Sequence, residues 1–234
     1  MPSFVVRVWL PDRPGALGAV ASRIGAVRGD VSGIEILERG AGRAIDELVV
    51  ELSDAALVDL LVAEIAQVDG CDVEDVRPAP TLAARDPRLE ALETAAVLVE
   101  QAEIDGLLVT LVRRASHDSE ASWCVVADVG GPVPGATMGT PPSGLWLGAL
   151  LAGSLSSARL AAGECGPDGI AWAPMPTAAL WLVIGREGRP YRRRERRQLA
   201  ALARIADARW AELAARAARL AHPSAASSSL GCSA

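Results

Sequence analysis

The sequence contains no lysine and no asparagine, so all 23 of its basic residues are arginine. Several chemistries need one of these two missing residues. A Walker phosphate loop and the Schiff base of a pyridoxal enzyme require lysine, and an N-glycosylation site requires asparagine. All three are excluded for this chain.

Histidine and cysteine are scarce, with 2 and 4 residues respectively. The cysteines form no Cys-x-x-Cys pair, and neither His117 nor His222 adjoins one of them, so the spacing does not match a zinc site. Carboxylates at Asp46 and Glu47, and again over residues 72–75, fall on predicted strand positions that face solvent, and we interpret them as surface charge. The sequence therefore predicts no metal and no cofactor.

The usual catalytic motifs are also missing. The chain has no Gly-x-Ser-x-Gly elbow, no His-Glu-x-x-His pair and no Gly-x-Gly-x-x-Gly fingerprint. We therefore expect a protein that is not an enzyme. One enzymatic alternative stays open, in which His117 works as an acid or base beneath a glycine- and proline-rich loop predicted over residues 130–144.

Long apolar runs are absent as well, since none approaches the ~20 residues that cross a bilayer. The N-terminus lacks the basic-then-apolar pattern of a secretory signal. With a net charge of -6, we expect a cytoplasmic protein that binds neither membrane nor nucleic acid. A chain of 234 residues that is 50% hydrophobic has enough apolar surface for two cores, which predicts two domains.

Over the first 78 residues, the spacing of hydrophobic residues switches between the alternation of a strand and the spacing of a helix. Alternation over residues 4–10 predicts a strand, and a helical stripe of five residues follows it. Two further strands over 31–38 and 44–52 flank a loop over 39–43, and Asp54 is predicted to cap a helix that buries Leu60. A last strand over 71–76 completes the order βαββαβ. This order predicts an α+β, ferredoxin-like domain with both helices on one face of an antiparallel sheet. The stripe consists of Leu17, Val20, Ala21, Ile24 and Val27.

The turn between the first strand and the first helix reads Asp-Arg-Pro-Gly-Ala-Leu over residues 12–17. With this turn, the segment resembles an ACT domain, a small regulatory module that senses amino acids. The resemblance implies that Asp12 meets an α-amino group and that amides at the start of the helix meet a carboxylate. It also implies that the second strand of a partner subunit completes the pocket. The predicted ligand-binding residues are Asp12, Arg13, Gly15, Ala16, Leu17, Asp30, Val31 and Ser32.

The same residues have two alternative interpretations. A Pro-Gly turn that opens a helix is common and needs no ligand. The same topology also occurs in RNA-recognition domains, which stack bases on aromatic residues of the sheet. Here the corresponding face carries Val5, Arg7 and Trp9 beside Glu47 and Glu51, and its acidic residues argue against RNA.

Residues 79–86 are rich in proline and alanine and predict a linker, followed by a second domain over 87–221 and a disordered tail over 222–234. The second domain is predicted to begin with a helix that Gly106 ends. Strands are predicted over 107–112, 123–129, 170–174 and 177–185, with a polar hairpin loop over 113–122 and a long helix over 194–220. Residues 145–155 fit a helix or a strand equally well.

The closing strand over 180–186, followed by Tyr191 and Glu195, resembles the end of a GAF domain. This resemblance implies a GAF-like α/β domain with an antiparallel sheet that holds a small molecule. The cyclic-nucleotide signature of that family needs asparagine and lysine, and its bilin-binding members need a cysteine followed by histidine. Because neither Cys124 nor Cys165 is followed by histidine, no chromophore is implied.

The arginine-rich run over residues 192–197 opens the last predicted helix, and we interpret it as a solvated face. Apolar positions of that helix recur at nearly heptad spacing, which predicts a homodimer. The sequence therefore predicts a non-catalytic sensor that binds an amino acid or similar small carboxylate and acts on a separate enzyme or regulator. The alternative is a structural interaction subunit with no ligand that dimerises through both domains.

Overall fold

The computed structural model describes residues 1–79 and 87–221. The chain forms two compact units. The first comprises Met1–Glu90 together with Arg192–Glu195, and the second comprises Ala91–Tyr191 and the chain from Arg196 onward. Most of the predicted linker, over 80–86, and all of the predicted tail, over 222–234, lie outside the described residues.

The first unit is built on a four-stranded antiparallel sheet with the strand order β2-β3-β1-β4. This order, with a helix after β1 and another after β3, confirms the ferredoxin-like arrangement that the sequence predicted for this part of the chain. Its elements are β1 (Ser3–Pro11), α1 (Ala16–Ala26), β2 (Asp30–Gly40), β3 (Arg43–Glu51), a 3₁₀ turn (Ala55–Leu57), α2 (Val58–Ile65) and β4 (Asp72–Pro78).

One face of this sheet packs against α1 and α2. The helices contribute residues spaced four apart, Val20 and Ile24 from α1 and Leu61 and Ile65 from α2, and all four are fully buried. Leu60 was predicted in the core but is 48% exposed, because its side chain points about 100° away from that of Leu61 on the same helix. Ala21 is exposed as well. The predicted cap is present, since Asp54 accepts a hydrogen bond from the amide of Ala56.

The hairpin between β2 and β3 is tighter than the loop predicted over residues 39–43. Only Ala41 and Gly42 lie outside the two strands, and both have positive φ, 51° and 75°. Two-residue hairpin turns with this backbone match the twist of the flanking strands. The two strands therefore extend further toward the turn than periodicity indicated.

The second unit also contains a four-stranded antiparallel sheet, with the order β6-β5-β8-β7. The GAF-like resemblance stays a prediction, because strand order alone does not define that family. The elements are α3 (Pro87–Val99), α4 (Ile104–Asp118), β5 (Trp123–Asp128), β6 (Gly131–Gly139), α5 (Gly144–Ser154), α6 (Ala158–Ala161), β7 (Ile170–Met175), β8 (Leu180–Gly185) and α7 (Arg193–Ala221).

Both faces of this second sheet are covered by hydrophobic clusters. Along β5, Cys124 and Val126 pack into one cluster with residues of α4 and α7, while Val125 and Ala127 pack into the other with residues of α5. Strands buried on two faces are apolar at every position instead of alternating. That burial explains the continuous apolar runs at β5 and β8.

Residues 107–118 are helical, so the strand predicted over 107–112 is wrong and the predicted hairpin loop is wrong up to Asp118. This segment belongs to α4, which also contains Gly106, so the first helix of the domain ends earlier, at Val99. Its buried residues recur at helical spacing while Val109 is 47% exposed. Residues 107–112, five apolar residues and Thr110, fit either period, and only the packing decides between them. The buried apolar residues are Leu107, Leu108, Leu111, Val112 and Ala115.

The loop predicted over residues 130–144 is mostly strand. Residues Gly131–Gly139 form β6, an edge strand that pairs with β5 and shifts register between Val125 and Ala127. Proline and glycine weaken a strand signal, but an edge strand tolerates them, because one side of it needs no ladder bonds. The ambiguous segment that follows is the helix α5.

The arginine-rich start of the last helix is not uniformly solvated. Arg196 is 7% exposed and its guanidinium donates to the carbonyl oxygens of Tyr191, Pro167 and Ile170 at 2.9–3.3 Å. This side chain therefore fastens α7 to the loop before β7. No helix in the described part of the chain is both long enough and apolar enough to span a bilayer.

Candidate functional site

The turn that the sequence singled out joins β1 to α1 and is held by its own backbone. The amide of Asp12 donates to the carbonyl oxygen of Gly42 at 2.9 Å, and the amide of Arg13 donates to that of Pro11 at 2.8 Å. Gly15 then precedes α1 in the left-handed conformation, with φ of 86°. A residue with a β-carbon would be strained there, so this turn into the helix requires glycine.

Few of the amides at the start of α1 are used within the described structure. The amide of Ala16 donates to the carbonyl oxygen of Arg13 at 3.3 Å, so it is occupied inside the turn. Those of Gly15, Leu17 and Gly18 have no hydrogen-bond partner among the described residues, and Gly15 supplies no side-chain cap. Free amides at a helix start, together with the helix dipole, favour an anion.

The surface above these amides is open. A β-carbon built on Gly15 or on Gly18 would meet no heavy atom within 4 Å. Asp12, Arg13 and Gly15 are all exposed, and only Ala16 is buried under the turn. The first turn of α1 is therefore accessible to a small ligand.

The predicted second half of the site lies elsewhere in the chain. Asp30, Val31 and Ser32 begin β2, where Asp30 is in register with Glu51, while the turn follows the far end of β1. About eight residues of strand, roughly 25 Å, separate the two ends of the sheet. One chain does not bring the two halves together, and the sequence-based hypothesis assigns the second half to a partner subunit.

Asp12 already has a cationic neighbour in its own chain. Its carboxylate lies 3.9 Å from the guanidinium of Arg39, and the two side chains are 41% and 58% exposed. At this exposure the pair is partly compensated by water, and its attraction is weak.

Sequence reasoning missed Asp46, which it had interpreted as surface charge. The residue lies on β3, opposite Val8 of β1 and Ile36 of β2, on the face of the sheet that carries the helices. It is only 3% exposed, and its Oδ1 atom is buried with no hydrogen-bond partner. The signal in the sequence was its position: it shares the inward-facing alternation of Ala44 and Leu48.

The surroundings of Asp46 perturb its carboxyl group. Burial raises the pKa of Asp46 above its ordinary value, the guanidinium of Arg39 lowers it by a smaller amount, and the charge of Asp12 raises it. The net pKa is raised. Asp46 is in register with Val8, three residues before Pro11 at the end of β1 that leads into the candidate site.

A pH-dependent loss of stability follows from that raised pKa. The folded chain holds this proton more tightly than the unfolded chain, so stability falls as pH rises from about 4, the usual pKa of aspartate, to the raised value. Asp46→Asn cannot lose a proton and is expected to escape this fall. In thermal unfolding measured from pH 4 to pH 7, the melting temperature of Asp46→Asn should rise relative to that of the parent chain as the pH increases. The exposed Asp69→Asn is the control, and an equal gain there would contradict the prediction.

The opposite face of the first sheet carries the residues that the sequence placed there. Arg7 is fully buried and its Nη2 lies 2.8 Å from Oε1 of Glu47, which also lies 3.0 Å from Nη2 of Arg77. The carboxylates of Glu47 and Asp75 are thus not the solvent-facing surface charge that was predicted, since their side chains are 13% and 24% exposed and both are paired with arginine.

The second unit contains a groove of about 450 Å³. Neither Trp146 nor Trp172 lines it, since Trp172 is 2% exposed and packed in a core and Trp146 is 41% exposed on α5. The groove lies between the start of α4 and the end of α7. It is lined by Ala102, Glu103, Ile104, Asp105, Leu213, Arg216, Ala217 and Leu220.

The geometry that motivated an enzymatic role for His117 is not present. His117 lies in the last turn of α4, exposed, with its Nδ1 atom 3.2 Å from Oδ1 of Asp118. The loop expected above it is β6. Within the described residues, no group of three or more histidine, cysteine or acidic side chains is arranged to hold a metal ion.

Comparison with known proteins does not assign the chain to a family. No protein-family model matches the chain, and no curated protein matches it. A similar solved structure is the ACT domain from GTP pyrophosphokinase of Chlorobium tepidum, which is 15% identical, with a TM-score of 0.27 over 34% of this chain and 100% of that one. Another is the C-terminal domain of the MgtC protein from Mycobacterium tuberculosis, 18% identical, with a TM-score of 0.29 over 36% of this chain and 95% of that one. At these low scores, the ferredoxin-like assignment rests on the strand order and register of the first unit itself.

Proposed function

We propose that this chain is a regulatory protein whose first unit binds a small carboxylate, of the amino acid class, at the turn between β1 and α1. The observation that carries the proposal is the open start of α1, where the amides of Leu17 and Gly18 have no partner among the described residues. A ligand carboxylate would accept hydrogen bonds from them and complement the helix dipole.

A homodimer belongs to this proposal. β2 is an edge strand of 11 residues, and two of its large apolar side chains, Ile34 and Ile36, are 52% and 37% exposed. An exposed edge of this kind favours pairing with another chain. A second copy would bring its Asp30, Val31 and Ser32 to the interface and make ligand binding and assembly interdependent.

The test is a thermal-shift screen of the full chain against the twenty amino acids. A ligand that binds only the folded state at about 100 times its Kd stabilises that state by about 2.7 kcal/mol. We expect at least one amino acid to raise the melting temperature by several degrees.

Two variants at one exposed position locate the site. Gly18→Pro removes the amide donor within the first helical turn, where proline is best tolerated, and Gly18→Ala keeps it. We expect the shift to be lost in Gly18→Pro and retained in Gly18→Ala, with circular dichroism showing that both fold. No shift with any amino acid on a folded parent chain would favour the ligand-free interaction subunit instead.

A further inference from the structure

The face of the first sheet that lies opposite α1 and α2 carries a group of ion pairs around Arg7. Four carboxylates of the strands take part in it, but only two guanidinium groups of the strands do, so the strands contribute an excess of negative charge. Such a surface attracts a cationic segment. The carboxylates are those of Glu35, Glu47, Glu74 and Asp75, and the guanidinium groups are those of Arg7 and Arg77.

Four residues from a distant part of the chain, Arg192–Glu195, belong to this first unit. We call them the 192–195 strap. Nη2 of Arg194 lies 2.5 Å from Oε1 of Glu35 on β2. The guanidinium of Arg192 pairs with the carboxylate of Glu74 on β4. The strap therefore supplies two of the positive charges that the strands lack.

The strap also contributes to the burial of Arg7. Oε1 of Glu195 lies 3.5 Å from Nη2 of Arg7, whose side chain is 1% exposed. The other carboxylate oxygen of Glu195 accepts a hydrogen bond from the amide of Arg192 at 2.8 Å. The guanidinium of Arg192 lies 5.0 Å from the centre of the Trp9 ring. The strap thus contacts β1, β2 and β4 through polar groups.

The attached strap leaves some of these polar groups poorly compensated. Nε of Arg192 and Oε2 of Glu74 are buried atoms with no hydrogen-bond partner among the described residues. Burial raises the pKa of Glu35 above its ordinary value, and the guanidinium of Arg194 opposes this by a smaller amount. All of these groups regain water when the strap leaves the sheet. The strap has the sequence Arg-Arg-Arg-Glu, so burial of an apolar side chain does not hold it in place.

We propose that the 192–195 strap is a releasable element, whose side chains leave the sheet while the sheet stays folded, and whose release exposes Arg7 to solvent. A regulatory protein needs an element with two states that are close in free energy. The strap provides such an element within the first unit. This inference does not depend on a ligand at α1.

The experiment measures the exposure of Arg7 in the full chain with phenylglyoxal, a reagent that modifies accessible guanidinium groups. Mass spectrometry gives the rate of modification of Arg7, and hydrogen exchange of the β1 amides gives the opening of the sheet. Arg192→Gln removes the guanidinium that pairs with Glu74. Arg193→Gln is the matched control, because Arg193 is exposed.

In the parent chain, we expect Arg7 to be at least about tenfold less protected against phenylglyoxal than the β1 amides are against exchange, each relative to the unfolded chain. Arg192→Gln should increase the rate of Arg7 modification by about tenfold, because a hydrogen bond between charged groups is lost. It should leave the exchange of the β1 amides unchanged. Arg193→Gln should change neither rate.

Two results would overturn the proposal. If Arg7 is as strongly protected as the β1 amides, the strap leaves only when the sheet unfolds, and it is a fixed part of the fold. If Arg192→Gln modifies no faster than Arg193→Gln, the pairing of Arg192 does not hold the strap. Neither result bears on the carboxylate site at α1, which the thermal-shift screen tests separately.

Discussion

Glu47→Leu is expected to lower the free energy of unfolding of the first unit by about 3 kcal/mol. The substitution removes the carboxylate that lies within 3.0 Å of both Arg7 and Arg77. The side chain of Arg7 is only 1% exposed, so it loses its shortest ion pair in a place that water does not reach. The loss falls at the lower end of the range for breaking a buried pair, because carboxylate oxygens of Glu195 and Glu74 remain 3.5 and 3.9 Å from Arg7.

Native-state hydrogen exchange on peptides from β1 and β3 measures this effect in the full chain, since it reports the opening of one unit at a time. A loss of about 3 kcal/mol corresponds to exchange roughly a hundredfold faster. The double variant Arg7→Met with Glu47→Leu should recover much of the stability, because the guanidinium of Arg7, the most deeply buried charge of the group, is then no longer left without Glu47. A double variant no more stable than Glu47→Leu alone would show that the pair does not act as one unit.

Trp172→Ala is expected to cost about 3–5 kcal/mol in the second unit. The side chain is 2% exposed in the cluster beneath α5, and its indole N–H donates to the carbonyl oxygen of Leu160 at 2.8 Å. Its neighbours are fitted to it closely: a β-carbon on Gly166 would lie 2.5 Å from the ring, and one on Gly163 would lie 1.9 Å from its carbonyl oxygen. Such a site cannot collapse around the missing ring, so most of the cavity remains.

The matched control is Trp146→Ala, since Trp146 is 41% exposed on α5 and belongs to none of the buried clusters. Urea unfolding followed by tryptophan fluorescence reports mainly the second unit, which holds five of the six tryptophans. The midpoint should fall strongly in Trp172→Ala and little in Trp146→Ala. Similar losses in both variants would contradict a specific packing role for Trp172.

The first unit was predictable because its signals are local. The alternation of β1, the helical stripe of α1 and the Asp54 cap each depend on neighbouring residues, and together they predict the order that the sheet confirms. The two-residue turn at Ala41 and Gly42 was missed because the charged residues around it resemble a loop, although they lie on the paired ends of the two strands.

The second unit was less predictable because its elements are buried on more than one side. Residues 107–112 are a short run of five apolar residues and one threonine in which the helical period is not visible, so the run was assigned to a strand although it lies in α4. The prediction for the edge strand β6 was wrong because its glycines and prolines are typical of loops. Only its pairing with β5 makes this segment a strand.

The sequence by itself determined the chemistry that is excluded, the order of elements in the first unit and the turn that opens α1. These follow from residue types and from spacings of a few residues. Only the tertiary structure decided which charges are buried. Asp46 and Glu47 are adjacent acidic residues of one strand, and alternation indicates only that they lie on opposite faces of the sheet. Packing buries Asp46 under the helices with its Oδ1 atom lacking a hydrogen-bond partner, and it pairs Glu47 with Arg7 and Arg77 on the opposite face. The difference arises because burial depends on what folds over each face of the sheet.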